Sequence, residues 1–260
     1  ALPILLPDPN MANYTDKVAK TLYSTDFENI KMWRKEWAKP LDDAEITRLQ
    51  QLSQRVDELW AEHEQGLIRD RAATEDAMTV WPAKSVEPSA TSRQFKEDTR
   101  KKGLLNEDGD LATPYRRLKL VMDYWCALWF WPIQQSARLP SRDFWWMQIG
   151  AILEGSVVEL AGQSDFDFDA TPIVQAEPVM EAVQPDLFGE VQPVLATVTP
   201  SERVLHDKFG QLRISKLRQN FETIGLVEAI ATRQRFLHWE LNFADVFKKS
   251  GGFDLVLGNP

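Results

Sequence analysis

Residues 115–138 read YRRLKLVMDYWCALWFWPIQQSAR, and their spacing decides the fold class. Apolar residues at Tyr124, Trp125, Leu128, Trp129 and Trp131 mark a helix predicted over Pro114–Ala137. It is apolar nearly all round, so it belongs at the centre of a helical core, and Pro132 kinks or ends it. The next segment, RDFWWMQIGAILEG, is again aromatic and apolar, with Ser141 placed to cap it. Five of the ten tryptophans lie between Trp125 and Trp146. Clustered indoles can stack on flipped bases. At helical spacing they more naturally form the core between two helices, which is the expectation here.

Working outward towards the N-terminus, Tyr14–Ala38 reads as helix in one or two parts, with Trp33 and Trp37 on one face. Pro40 breaks it. Asp42 or Asp43 caps a long amphipathic helix carrying Leu49, Leu52, Val56, Leu59 and Trp60. Its pattern reaches about Met78, Gly66 is its weak point, and an antiparallel helical partner is expected. Residues 81–92 read as a loop, followed by a short basic helix, RQFKEDTRKK, closed by Gly103. NEDGD at 106–110 resembles half a calcium loop but lacks the later ligands, so it reads as a turn.

Towards the C-terminus the character changes. Residues 161–200 are acidic and Pro-rich and contain no Lys or Arg, and they read as a linker or a loosely packed excursion. From Pro200 a basic helical region is expected to run to Phe236 in two pieces around Gly210. It carries Lys208, Arg213, Lys216, Arg218, Arg233 and Arg235. The organisation is therefore a helical region over 1–160, a linker over 161–200, and basic helices over 201–260 leading into a final strand at Phe253–Leu257.

Composition narrows the function. The net charge of −9 over 260 residues disfavours a protein that wraps DNA by itself, but leaves room for a local basic face. A lone Cys126 excludes an intrachain disulfide or a cysteine-based metal site, reads as a buried inert thiol, and fits a reducing cytoplasm. His63 and His206 lie on amphipathic helices without neighbouring ligands, so no metal is expected. No segment reads as a signal peptide or a membrane span. The expectation is a cytoplasmic location.

The last stretch, HWELNFADVFKKSGGFDLVLGNP (238–260), carries the chemistry. With His238, Trp239, Leu241, Phe243, Val246, Phe247, Gly252, Phe253, Asp254, Val256, Gly258, Asn259 and Pro260, it resembles the run into the catalytic motif of large adenine-specific DNA methyltransferases. These are the Eco57I-like and type IIG restriction-modification enzymes and related phage-defence methylases. The resemblance covers about the last 25 residues.

The resemblance implies S-adenosylmethionine-dependent methylation of adenine's exocyclic amino group in double-stranded DNA. It implies that Asn259 and the Pro260 carbonyl accept hydrogen bonds from that amino group after the base is flipped. It further implies that Phe253–Leu257 is a strand of an α/β methyltransferase domain, with a second Pro and an aromatic after Pro260. No Gly-x-Gly methyl-donor motif occurs in the sequence. The chain is accordingly expected to be a mainly α insertion between cofactor motif and catalytic motif, inactive alone, with other restriction or defence-system subunits as possible partners. No nuclease motif is recognisable.

Three subsidiary readings complete the expectation. Arg213, Lys216 and Arg218, with the group Arg93–Lys102, are candidate DNA-phosphate contacts. Gln184-Pro185-Asp186-Leu187-Phe188 is similar to peptides that dock on the bacterial sliding clamp, a partner weighed as the lesser alternative to tucking against the core. His238, beside Trp239, reads as a packed histidine rather than a general base. The competing reading of the whole chain is a non-catalytic helical DNA-binding or protein-interaction module.

Overall fold

The computed structural model describes residues 3–75, 92–103, 105, 106, 109–156 and 205–258. Among them helices dominate, and β pairing is limited to two isolated antiparallel bridges, Leu111 with Arg213 and His206 with Leu212. The helices are α1 (Lys17–Leu22), α2 (Ser24–Trp37), α3 (Asp43–Thr74), α4 (Arg93–Lys102), α5 (Pro114–Trp129) and α6 (Arg142–Glu154). Beyond residue 205 come α7 (Ile214–Asn220), α8 (Glu222–Gln234), α9 (Trp239–Asn242) and α10 (Ala244–Ser250).

α5 is the hub. It packs against α3, α6 and α8, and its Leu118, Val121, Tyr124, Ala127 and Leu128 are fully buried. Pro114 opens it at a position where no backbone N–H is needed, and Thr113 caps it by accepting from Arg116 N at 3.3 Å. It ends at Trp129. Pro132 then starts a short 3-10 turn, Ile133–Arg138, rather than extending the helix to Ala137.

Of the five tryptophans between Trp125 and Trp146, three are core, Trp125 is half-buried and Trp129 is 39% exposed. Trp131, Trp145 and Trp146 are buried, and each indole N–H has a fixed acceptor: Gln135 O at 2.9 Å, Leu5 O at 2.9 Å and Glu45 Oε1 at 3.2 Å. An indole locked in this way is not available to stack on a base. Trp33 and Trp37 share one buried face of α2, as their i, i+4 spacing requires.

α3 begins with a complete capping box: Asp42 accepts from Glu45 N, and Glu45 reaches back to Asp42 N. The helix runs straight through Gly66, which is buried beside Leu67. Instead of one antiparallel partner it has several, with α5 and α6 packed against it and α10 docked on it. Arg48 binds Glu154 of α6 through two bonds of 3.0 and 2.8 Å. Its described length ends at Thr74, and Met78 lies outside the described residues.

Two expectations are corrected. Residues 206–213 are not helical, while Leu205, the first described residue beyond 156, is. Asp207 accepts from Phe209 N and Gln211 N, and Gly210 takes φ +73°, so the chain turns back on itself. The break at Gly210 is thus a turn spanning 206–213; helix resumes at Ile214, and Phe221 breaks it again. The second correction concerns Phe253–Leu257, which form no strand. Leu255, Val256 and Leu257 are 72%, 70% and 86% exposed, and no described residue offers a neighbouring strand to take their N–H and C=O groups. The mainly α architecture stands, while a strand of an α/β domain is not formed here.

Cys126 is half-buried rather than buried, and burial pushes its thiol up, which keeps it protonated and inert. No helix among the described residues is long and apolar enough to cross a membrane. The linker or excursion expected over 161–200 lies outside the described residues.

Candidate nucleic-acid interface

The first turns of α5 begin the site. The sequence RRLK at 116–119 puts Arg116 and Lys119 three residues apart, hence on one face of the helix. That face looks across to α8, with α7 alongside. Between them lies a cleft of about 760 Å³ whose lining includes Arg116, Lys119, Arg218, Arg233 and Arg235, against two carboxylates, Asp123 and Glu228.

Both carboxylates have cationic partners. Asp123 is buried at the base of the cleft, where its Oδ2 accepts from Lys119 Nζ at 2.8 Å and its Oδ1 accepts from His238 Nε2 at 2.7 Å. Glu228 takes the Arg218 fork, Nε at 2.6 Å and Nη2 at 2.8 Å. This hydrogen bonding holds the Arg218 guanidinium above its usual range. Arg233 and Arg235 are exposed and form no ion pair with a described residue. Arg235 caps α8 in the left-handed conformation, φ 56° and ψ 52°, where glycine is the residue normally preferred. A concave surface with this excess of positive charge attracts a polyanion.

Of the three candidate phosphate contacts named from sequence, the structure places only Arg218 in this cleft. Arg213 braces the 206–212 turn instead: Nε donates to Asp207 Oδ2 at 2.8 Å, and Nη2 bonds the same oxygen and Gln211 Oε1. The backbone N–H of Gln211, with Arg213, pulls the Asp207 carboxyl down to about 2. Lys216 is exposed on α7 but does not line the cleft. α4 packs on α3, away from the cleft, and Arg93 pairs with Glu97 at 2.9 Å.

Arg116 and Lys119 were missed because the rest of α5 reads as a core helix. The available signal was three cations in the first two turns of an otherwise apolar segment. His238 is packed, as expected, but it also has a purpose the sequence did not reveal. It ties the start of the C-terminal stretch to α5 through Asp123.

Beyond His238 the chain forms an aromatic nest. Phe253 sits 6.1 Å from Trp239, 5.1 Å from Phe243 and 5.8 Å from Phe247, ring centre to ring centre. α9 and α10 are fixed to α3 by His63 Nε2 donating to Leu241 O at 2.7 Å, and by Arg71 bonding Asp245 at 2.5 Å. Asn259 and Pro260 lie outside the described residues, as do Gln184–Phe188.

The described residues do not fit S-adenosylmethionine. The cleft presents an excess of cations to a ligand that is itself a sulfonium cation, and its buried carboxylate, Asp123, is held by Lys119 and His238. Among the described residues no cluster of His, Cys, Asp and Glu is arranged to hold a metal ion. No family model, curated protein or solved structure matches the chain.

Proposed function

We propose that this chain is the helical, DNA-gripping part of an adenine-specific DNA methyltransferase of a restriction-modification or phage-defence system. The reading is carried by one observation, the unbroken run His238–Pro260 with its Phe-Asp-x-Val-x-Gly-Asn-Pro ending. Asn259 and Pro260 supply acceptors for the adenine amino group, drawing its lone pair out of conjugation with the ring. Double-stranded DNA is the partner, and the cation-lined cleft is the surface that suits its backbone. S-adenosylmethionine supplies the methyl group, from a site that the described residues do not form.

The test is methyl transfer by the product of the complete gene. Radiolabelled methyl should enter DNA and be recovered as N6-methyladenine after digestion. Asn259→Ala should reduce incorporation to background while DNA binding persists. Incorporation unaffected by Asn259→Ala would overturn the assignment of this residue, and methylated cytosine in place of adenine would overturn the class. A second reading, a non-catalytic DNA-binding module, is favoured by the cleft itself, and predicts DNA binding with no methylation under any variant.

A further inference from the structure

Resting on that DNA-gripping reading, we propose that Glu228 is an internal stand-in for phosphate. Its carboxylate occupies the Arg218 fork until a backbone phosphate of duplex DNA displaces it.

The geometry supplies the argument. A guanidinium binds carboxylate and phosphate in the same two-pronged way, so whatever fills the fork in one state marks where the other docks. Arg218 and Glu228 make that two-pronged contact at 2.6 and 2.8 Å. Their side chains are 48% and 29% exposed, so the carboxylate can swing into water without stranding a buried charge. An exposed pair of this kind is weak and exchangeable.

The surroundings favour the exchange. Arg116, Lys119, Arg233 and Arg235 line the same cleft, and an arriving polyanion meets all of them. Asp123 cannot play the same part, because it is 3% exposed and clamped between Lys119 and His238. The cleft thus has one fixed carboxylate and one displaceable one. Glu228 opposes the incoming phosphate by charge and by competition, which weakens binding to any DNA that engages the cleft only partly.

Fluorescence anisotropy of the full chain with a random-sequence duplex, over a salt series, tests this. Glu228→Gln should bind about 3–10-fold more tightly near 0.15 M salt, the order expected for removing one like charge at close range. In an Arg218→Ala background the same substitution should give little gain, since the fork it guards is gone. An equal gain in both backgrounds reduces Glu228 to general repulsion and overturns the stand-in. Arg233→Ala/Arg235→Ala should weaken binding and lower the salt slope by about 2. The charge-matched control Lys17→Ala/Lys39→Ala, on the exposed surface outside the cleft, should do neither; an equal loss there would overturn the cleft as the seat. Tighter binding of a single strand than of the duplex would overturn the choice of ligand. These outcomes are independent of the Asn259→Ala methylation result, so either reading can fail alone. Thermal unfolding of each variant confirms that it is folded.

Discussion

His238 Nε2 lies 2.7 Å from Asp123 Oδ1, across 115 residues of sequence, and Lys119 holds the other oxygen of the same carboxylate. One buried acid therefore joins the cleft wall to the root of the C-terminal stretch. Asp123→Ala leaves two polar groups facing each other in a confined space. Breaking a buried pair from one side costs about 3–5 kcal/mol, and Lys119, 24% exposed, recovers some of this by hydration. The expected loss is about 3 kcal/mol, read from urea unfolding. A loss below about 1 kcal/mol would mean that the pair is not held in solution.

Glu45 serves three partners at once. It completes the cap of α3, accepts from Trp146 Nε1 at 3.2 Å, and pairs with Arg142 at 2.8 Å. Glu45→Ala removes a cap and leaves a nearly buried Arg142 without its carboxylate. The combined cost should be about 3 kcal/mol. Asp42→Ala touches only the cap and should cost about 1 kcal/mol. Equal effects of the two would show that the Arg142 and Trp146 contacts contribute nothing.

Two glycines should respond in opposite directions to alanine. Gly155 ends α6 at φ +79°, and an added Cβ would come within 2.8 Å of His206. Gly155→Ala should destabilise by more than about 1 kcal/mol. Gly225 is exposed inside α8, and a methyl group added there would meet nothing within 4 Å, so Gly225→Ala should stabilise by about 0.5–1 kcal/mol. Melting temperatures of the two variants decide the matter.

Arg235 separates stability from binding. Its left-handed backbone, φ 56°, suits glycine better than arginine. Arg235→Gly should raise stability by about 0.5–1 kcal/mol and at the same time weaken duplex binding. If stability rises and binding is untouched, this arginine is a surface cap and nothing more.

His63 gives the fold an acid sensitivity. Burial holds it below its ordinary value near 6.5, against the opposing pull of the Leu241 carbonyl and of Asp245. Nε2 donates to Leu241, while Nδ1 is buried with no partner, so a second proton has no acceptor. The lowered value means that the unfolded chain takes up the proton first as pH falls. Stability is therefore full above about pH 6.5 and declines below it, until the folded form also protonates. His63→Gln should flatten that part of the stability profile. An unchanged slope would place the titrating group elsewhere.

How far the sequence foretold this structure depends on which distances matter. Helix starts were legible at Asp42 and Ser141, because a cap is a local chemical event. The core tryptophans followed from helical spacing alone. What stayed hidden were features made by distant segments meeting: Arg116 and Lys119 facing α8, and Asp123 beneath His238. The pairing of Arg213 with Asp207 was hidden too, because a cation in a basic run looks the same whether it faces solvent or is bound to a carboxylate. The expected strand at Phe253–Leu257 failed for a related reason. Alternation and apolarity describe what a strand requires, but its hydrogen bonds come from a neighbour.

The anchoring of α9 and α10 to α3 has a mechanical consequence. α3 has 32 residues, which makes it a beam about 48 Å long. His63 and Arg71, near one end of that beam, hold the short helices in place. Just past this mount, Gly251 and Gly252 adopt φ +72° and +146°, values that side-chain-bearing residues rarely take. These two glycines turn the chain so that Phe253 packs back on Trp239, Phe243 and Phe247 of the mounted helices. The aim of Asp254–Gly258 is therefore set at one turn, beside a fixed point of attachment.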